Sequence, residues 1–373
     1  MATKKRIEEI DILKALGIIC MVAGHASAPF THFLYLFHMA VFFIASGFFF
    51  KTETSDDFAS AAKQIKVRLL QLWLPFFVWN TIFSVLHNYF VLINVYTDNP
   101  ALQNYVSEDF VCKTTSYSYP GILKSIANGV LFSSSEPMFG TSWFLKVLFI
   151  VSVCYLIVDY LVKKVLKNHV LFFQTLVSLI LLLFGYLCFL KGISAKGIAQ
   201  AASFYCLYHS GRLLYLIKER YADWSWRSYL MILGVSFILL LFLNSMGSIA
   251  LNRNSYENPF FLIAASMAGW AFLYSISFFI KQTKTMKSLM LIIGRRTLTI
   301  VILHFLSFKI VAACVVEFYK LPPFCLAALP NLYGDKGAWW LAYVLVGVGI
   351  PVIANICYRT VVDKFISKDG LSG

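Results

Sequence analysis

The sequence predicts an all-α, polytopic membrane protein of about ten transmembrane helices, with the N- and C-termini both cytoplasmic. Three observations predict this class. Of the 373 residues, 59% are hydrophobic and 13% charged, against about 25% charged in an ordinary soluble domain. Apolar runs of about 18 residues or more recur along the whole length, each long enough to cross a hydrocarbon core of about 30 Å. Most of the 32 basic residues lie in short clusters at alternate segment ends, as topology determinants do. The formal charge of +14 is therefore a membrane signal, and gives no reason to expect a nucleic-acid partner.

In chain order the spans fall at 12–30, 33–50, 67–95, 142–162, 169–190, 197–217, 228–246, 259–280, 288–314 and 337–360. The first follows Lys4, Lys5 and Arg6 and contains Lys14. The second ends at Lys51, and Lys63, Lys66 and Arg68 separate it from the third. Lys163, Lys164 and Lys167 divide the fourth from the fifth, and Lys218, Arg220 and Arg227 the sixth from the seventh. Lys281, Lys284, Lys287, Arg295 and Arg296 mark the boundary of the eighth and ninth. Arg359, Lys364 and Lys368 close the tenth. Placing every cluster in the cytoplasm needs an even number of crossings between neighbours, and these ten spans satisfy that. The outside then holds a long loop at about 96–141 and a shorter one at about 315–336.

The long loop carries Tyr96, Tyr105, Phe110, Tyr117, Tyr119, Phe132 and Phe139, and Gly121 to Phe132 has helical periodicity suited to lying along a membrane. No linker or low-complexity tract interrupts the chain, so residues 1–373 read as a single integral membrane domain, placed in the cell membrane with the lipid bilayer as its first partner. Lys4-Lys5-Arg6 followed by an apolar run and Ala26-Ser27-Ala28 imitates a cleaved leader. Glu8, Glu9, Asp11 and Lys14 interrupt that pattern and a second apolar segment follows at once, so the first segment is expected to stay.

Cys20, Cys154, Cys188, Cys206, Cys314 and Cys357 sit within apolar spans, where cysteine behaves as a small hydrophobe. Cys112 and Cys325 fall in the two outer loops, where a disulfide can persist, and a bridge joining these loops is expected. No Cys/His spacing resembles a zinc site, so no metal is expected; neither a phosphate-binding glycine loop nor a Gly-x-Ser-x-Gly elbow occurs.

The chemistry concentrates in the first span. Lys14 and His25 stand eleven residues apart in an otherwise apolar stretch, and an ionisable side chain within a span is costly and marks a functional site by default. That spacing sets His25 within about 20° of the Lys14 face and about 16 Å further along the axis. An imidazole in this place suits a general base that takes the proton of an attacking hydroxyl.

Asp11, Lys14, ten intervening residues and His25 resemble the signature of the acyltransferase-3 family of integral membrane O-acyltransferases. Phe37-His38-Met39 through Ser46-Gly47-Phe48 resembles that family's second-helix motif, and Trp143-Phe144-Leu145 and the Gly294-to-His304 segment resemble two later landmarks. The resemblance spans nearly the whole chain. One position departs: the family often has Arg-x-x-Arg shortly before a proline, and here Arg68 is followed by Gln71 ahead of Pro75.

The resemblance implies a membrane O-acyltransferase, most simply an acetyltransferase. It would move an acyl group from cytoplasmic acetyl-CoA or another acyl-CoA to a hydroxyl of a glycan or lipid-linked sugar outside. Within the family, the compact form without a fused extra domain resembles the fucose 4-O-acetylase and exopolysaccharide acyltransferase branch. His25 is then the base, while His38, His304, Asp11 and Trp143 support it or contact the acceptor. Lys14, Arg68 and Arg295, at cytoplasmic helix ends, are placed for the phosphates of the donor. Glu136 in the long loop is a candidate partner for a sugar hydroxyl. The rival reading is a transporter or exporter of a glycan or small metabolite, which predicts inverted repeats and broken helices at the midplane.

Overall fold

The computed structural model describes residues 7–166, 169–193, 197–220 and 224–368. They form a helical bundle whose helices are α1 (Glu8–His25), α2 (Thr31–Tyr35), α3 (Ala40–Phe48), α4 (Phe58–Arg68), α5 (Leu74–Leu92), α6 (Tyr119–Val130) and α7 (Trp143–Leu166). They continue with α8 (Val170–Leu190), α9 (Ile198–Arg220), α10 (Trp226–Met246), α11 (Pro259–Lys281), α12 (Lys284–Gly294), α13 (Thr297–Phe318) and α14 (Trp339–Lys368). One small antiparallel ribbon, β1 (Ile249–Ala250) with β2 (Ser255–Tyr256), interrupts the connection from α10 to α11.

Among the described residues, eight helical segments are long and apolar enough to cross a membrane. The two remaining segments of the ten expected are α1 and α9, and both are central. α1 packs against α11, α12, α13 and α14, and α9 against α3, α7 and α8. A helix walled in by other helices needs no lipid-facing apolar surface, so it can carry polar groups that an outer span cannot. α8 and α10 show the opposite pattern. Phe172, Leu183, Phe184, Met231, Ile238 and Phe242 are all exposed, as lipid contact requires.

The expected second, third and ninth spans differ in detail. The second is interrupted at 36–39, giving α2 and α3. The third begins earlier, at Phe58, and widens into a π-turn over Leu69–Trp73 immediately ahead of Pro75, where the missing proline N–H disrupts the regular ladder. The expected 288–314 span is two helices broken at Arg295–Arg296. Two adjacent guanidinium groups do not run on through hydrocarbon, and α12, at eleven residues, is too short to cross.

Helix packing at the centre depends on missing side chains. A Cβ on Gly47 of α3 would lie 1.7 Å from the Tyr208 carbonyl oxygen of α9, and one on Gly294 would lie 1.9 Å from the Asp11 carbonyl oxygen of α1. The second approach delivers Arg295 to the start of α1.

The long outer loop packs rather than floats. Its helix α6 occupies most of the expected 121–132 segment and lies against α5, where the Asn80 amide donates to the Ser125 carbonyl at 3.0 Å. The two outer loops meet, with Leu329 N–H donating to the Phe110 carbonyl at 3.0 Å and Tyr105 edge-on to Phe324. The expected Cys112–Cys325 bridge is not formed: both are free thiols. Cys325 is buried in a short 3-10 turn, and burial pushes its thiol up to about 11, while Cys112 faces Thr114 instead.

Candidate active site

α1 ends at His25, and the loop ahead of α14 fixes that end. The Asn331 amide donates to the His25 carbonyl at 2.8 Å and to Ser27 Oγ at 2.9 Å, while Asn331 Oδ1 accepts from Gly334 N–H at 2.8 Å. The His25 ring stacks on His304 with centroids 5.5 Å apart and meets Phe305 edge-on at 5.1 Å. Among the described residues the imidazole has no hydrogen-bond partner of its own. It opens into a cleft of about 240 Å³, lined also by Tyr35, His38, Thr141, Trp143 and Arg253.

His38 is 3% exposed, and its Nδ1–H donates to the Leu34 carbonyl at 2.8 Å. That bond fixes the tautomer and leaves Nε2 as an acceptor facing the cleft. Tyr35 stands between the two histidines, 4.8 Å from the His38 ring and 6.3 Å from that of His25. His38 thus lines the cleft without a hydrogen bond to His25. His304 donates through Nδ1 to the Ile300 and Val301 carbonyls, and its buried Nε2 has no partner among the described residues. Thr141 ties the cleft wall to the same helix through the Val301 carbonyl at 2.9 Å.

The expected role of Glu136 needs correction. Its residue is 2% exposed, with both oxygens occupied. His87 Nδ1–H donates to Oε2 at 2.9 Å and Ser125 Oγ to Oε1 at 3.3 Å, and Tyr96 lies above with its hydroxyl 3.4 Å from Oε2. Burial first, then the Glu136 charge, raises the Tyr96 phenol, which keeps it a donor. His87 Nε2 faces the Thr115 carbonyl at 3.0 Å, and Tyr117 stacks on the ring at 3.5 Å. This carboxylate anchors the segment leading to Trp143 and does not face the cleft.

A second cluster occupies the other end of α1, about 16 Å away by helix geometry. Asp11 is 6% exposed; its Oδ1 pairs with Lys14 at 2.7 Å and its Oδ2 lies 4.0 Å from Arg295 Nε. Glu9 pairs with Lys281 at 2.7 Å and Glu8 with Lys287 at 2.9 Å, so acids of α1 face bases of α11 and α12. Arg68 does not join this cluster and lies instead beside the Tyr208 hydroxyl of α9.

The expected residues therefore fall into two groups, one at each end of α1. His25, His38, His304 and Trp143 converge at the cleft, and Asp11, Lys14 and Arg295 at the opposite end. Sequence reasoning missed Tyr35, Asn331, His87 and the Asn252-Arg253 tip. The available signal for the tip was the polar stretch from Gly247 to Asn258 between two apolar spans.

A family model described as an acyltransferase domain matches residues 7–359. No curated protein and no solved structure matches the chain.

Proposed function

Because the chain belongs to the acyltransferase family whose model covers nearly its whole length, we propose that it is an acyl-CoA-dependent membrane O-acyltransferase with His25 as general base. The acyl group is taken to be acetyl, drawn from cytoplasmic acetyl-CoA. The acceptor is taken to be a hydroxyl of a glycan or lipid-linked sugar reaching the cleft from the outer face.

One observation carries the reading. His25 presents an imidazole with no hydrogen-bond partner among the described residues to a cleft lined by Trp143, Tyr35 and His38, while the basic cluster of Lys14 and Arg295 stands at the opposite end of the same helix. In this reading the donor's phosphates stay with Lys14 and Arg295, and the flexible arm of the donor extends inward with the thioester. His25 takes the proton from the acceptor hydroxyl as its oxygen attacks the thioester carbon; collapse of the tetrahedral intermediate breaks the C–S bond, and the departing coenzyme A thiolate takes the proton back from the His25 imidazolium. Trp143 and Tyr35 supply flat apolar faces for a sugar ring, and the free Nε2 of His38 accepts from a second hydroxyl.

The test is incubation of the purified protein with radiolabelled acetyl-CoA, alone and with oligosaccharide acceptors. The expected result is transfer, or slow hydrolysis without acceptor, lost in His25→Ala while acetyl-CoA binding remains. Movement of a glycan across the membrane with no acyl transfer would favour the transporter reading instead.

A further inference from the structure

The cleft beside His25 holds no carboxylate among its lining residues, and one full cation, Arg253, stands at its rim. Across Trp143 lies a second cleft of about 200 Å³, lined by Ser133, Ser134, Ser142, Lys146 and Gln200, again with no carboxylate. Trp143 is the wall common to both. The shared rim is bridged where Gln200 Nε2 donates to the Asn252 carbonyl at 2.7 Å.

Arg253 is held in place by its backbone. The ribbon pairs Ile249 with Tyr256 and Ala250 with Ser255, and Asn254 turns the tip with a positive φ of 54°. The Asn254 amide donates to the Gly185 carbonyl of α8 at 3.1 Å, and the Tyr186 hydroxyl to the Glu257 carbonyl at 3.0 Å. The clip is thus tied to α8 and α9 and hangs Arg253 over the cleft. Its side chain is exposed and has no ion-pair or aromatic partner among the described residues. Glu257, four positions on, could have neutralised it, yet the Glu257 carboxylate folds back to accept from Ser248 N–H at 3.1 Å. Nor does Arg253 serve topology, because this connection lies on the outer side in the charge pattern that orients the spans.

We propose that the acceptor is an anionic glycan longer than one sugar, with a carboxylate or phosphate oxyanion held by Arg253 and the chain running across Trp143 into the neighbouring cleft. An arginine presents a fixed fork of donors that matches either oxyanion bidentately, and two acid-free clefts each carrying one base repel no part of such a ligand. The proposal rests on the acyltransferase reading for the word acceptor, but the binding it describes can be measured apart from acyl transfer.

The test measures binding of three probes to the purified full chain in nanodiscs. They are a neutral trisaccharide, the same trisaccharide with one uronate residue, and a short-prenyl diphosphate disaccharide. At least one acidic probe is expected to bind about tenfold or more tighter than the neutral one, the scale of a charge-assisted bond. Arg253→Gln should collapse that ratio towards one, and Arg253→Lys should restore part of it. The responding acidic probe identifies the source of the oxyanion. Equal affinity for neutral and acidic probes, absent binding of both acidic probes, or an unchanged ratio in Arg253→Gln overturns the proposal. Charge-selective binding without any acetyl transfer or acetyl-CoA hydrolysis would sink the acyltransferase reading and leave the anion site standing.

Discussion

At the residue scale, His25 carries the sharpest prediction. General-base assistance is worth typically about 10²- to 10⁴-fold, so His25→Ala should lose that much turnover with acetyl-CoA affinity retained. Turnover of the wild-type protein should fall towards acidic pH, because only the neutral imidazole accepts a proton, and the residual rate of His25→Ala should lack that limb. A folded His25→Ala protein with a near wild-type rate, or the same acid limb, would remove His25 from the mechanism. His25 was legible in the sequence because an ionisable group in an apolar run is rare enough to stand out. His304 was weaker as a signal, since nothing in the sequence brings it onto the His25 ring. Arg253 gave still less: an arginine in a polar connection looks like any solvated residue until the fold hangs it over a cleft.

At the element scale, interruptions of helices set where the functional groups sit. The break between α2 and α3 places Tyr35 and His38 at the cleft, and the break at Arg295–Arg296 turns α12 back against the acids of α1. Hydropathy reads both as single spans because their composition barely changes across the break. Close approach is also invisible to composition. Gly47→Ala should destabilise the α3–α9 contact, since the new methyl meets the Tyr208 carbonyl carbon and oxygen and overpacking costs typically about 1–3 kcal/mol. The check is the fraction of protein that stays monodisperse after heating; an unchanged value would mean the two helices shift apart freely.

The Glu136 anchor belongs to this scale too. With both side chains of the His87–Glu136 pair fully buried, Glu136→Ala strands His87, Ser125 and Tyr96. Removing one member of a buried pair costs about 3–5 kcal/mol. The variant should melt earlier than the wild type, with Glu136→Gln intermediate because its amide oxygen still accepts. Equal melting of all three would show that the loop does not depend on this carboxylate. The sequence suggested an exposed Glu136 because its partners His87, Tyr96 and Ser125 are scattered over nearly forty positions, and loop polarity alone does not reveal a buried pair.

At the scale of the whole molecule, polar content and position in the bundle vary together. α1 carries Asp11, Lys14 and His25, α9 carries His209 and Arg212, and both pack among the more apolar segments. Eight of the ten expected spans were legible as apolar helices of membrane length, whereas the central place of α1 and α9 was not, since burial inside a bundle leaves no apolar periodicity to read. Direction across the membrane is the remaining consequence. The lysine clusters at 163–164 and 281–287 should be reached only by reagents added from the cytoplasm, and the loop from 97 to 140 only from outside, because positive clusters stay on the cytoplasmic side. Single cysteines at 113, 164 and 284 in a cysteine-free background, labelled from each side with a membrane-impermeant maleimide, test this. With position 113 outside, the His25 end of α1 faces the acceptor and the Lys14–Asp11–Arg295 end faces the donor, so acyl transfer runs outward along one helix. Labelling of position 113 from the cytoplasm alone would invert the molecule, put Lys14 and Arg295 on the side that lacks coenzyme A, and dismantle the outward direction of transfer.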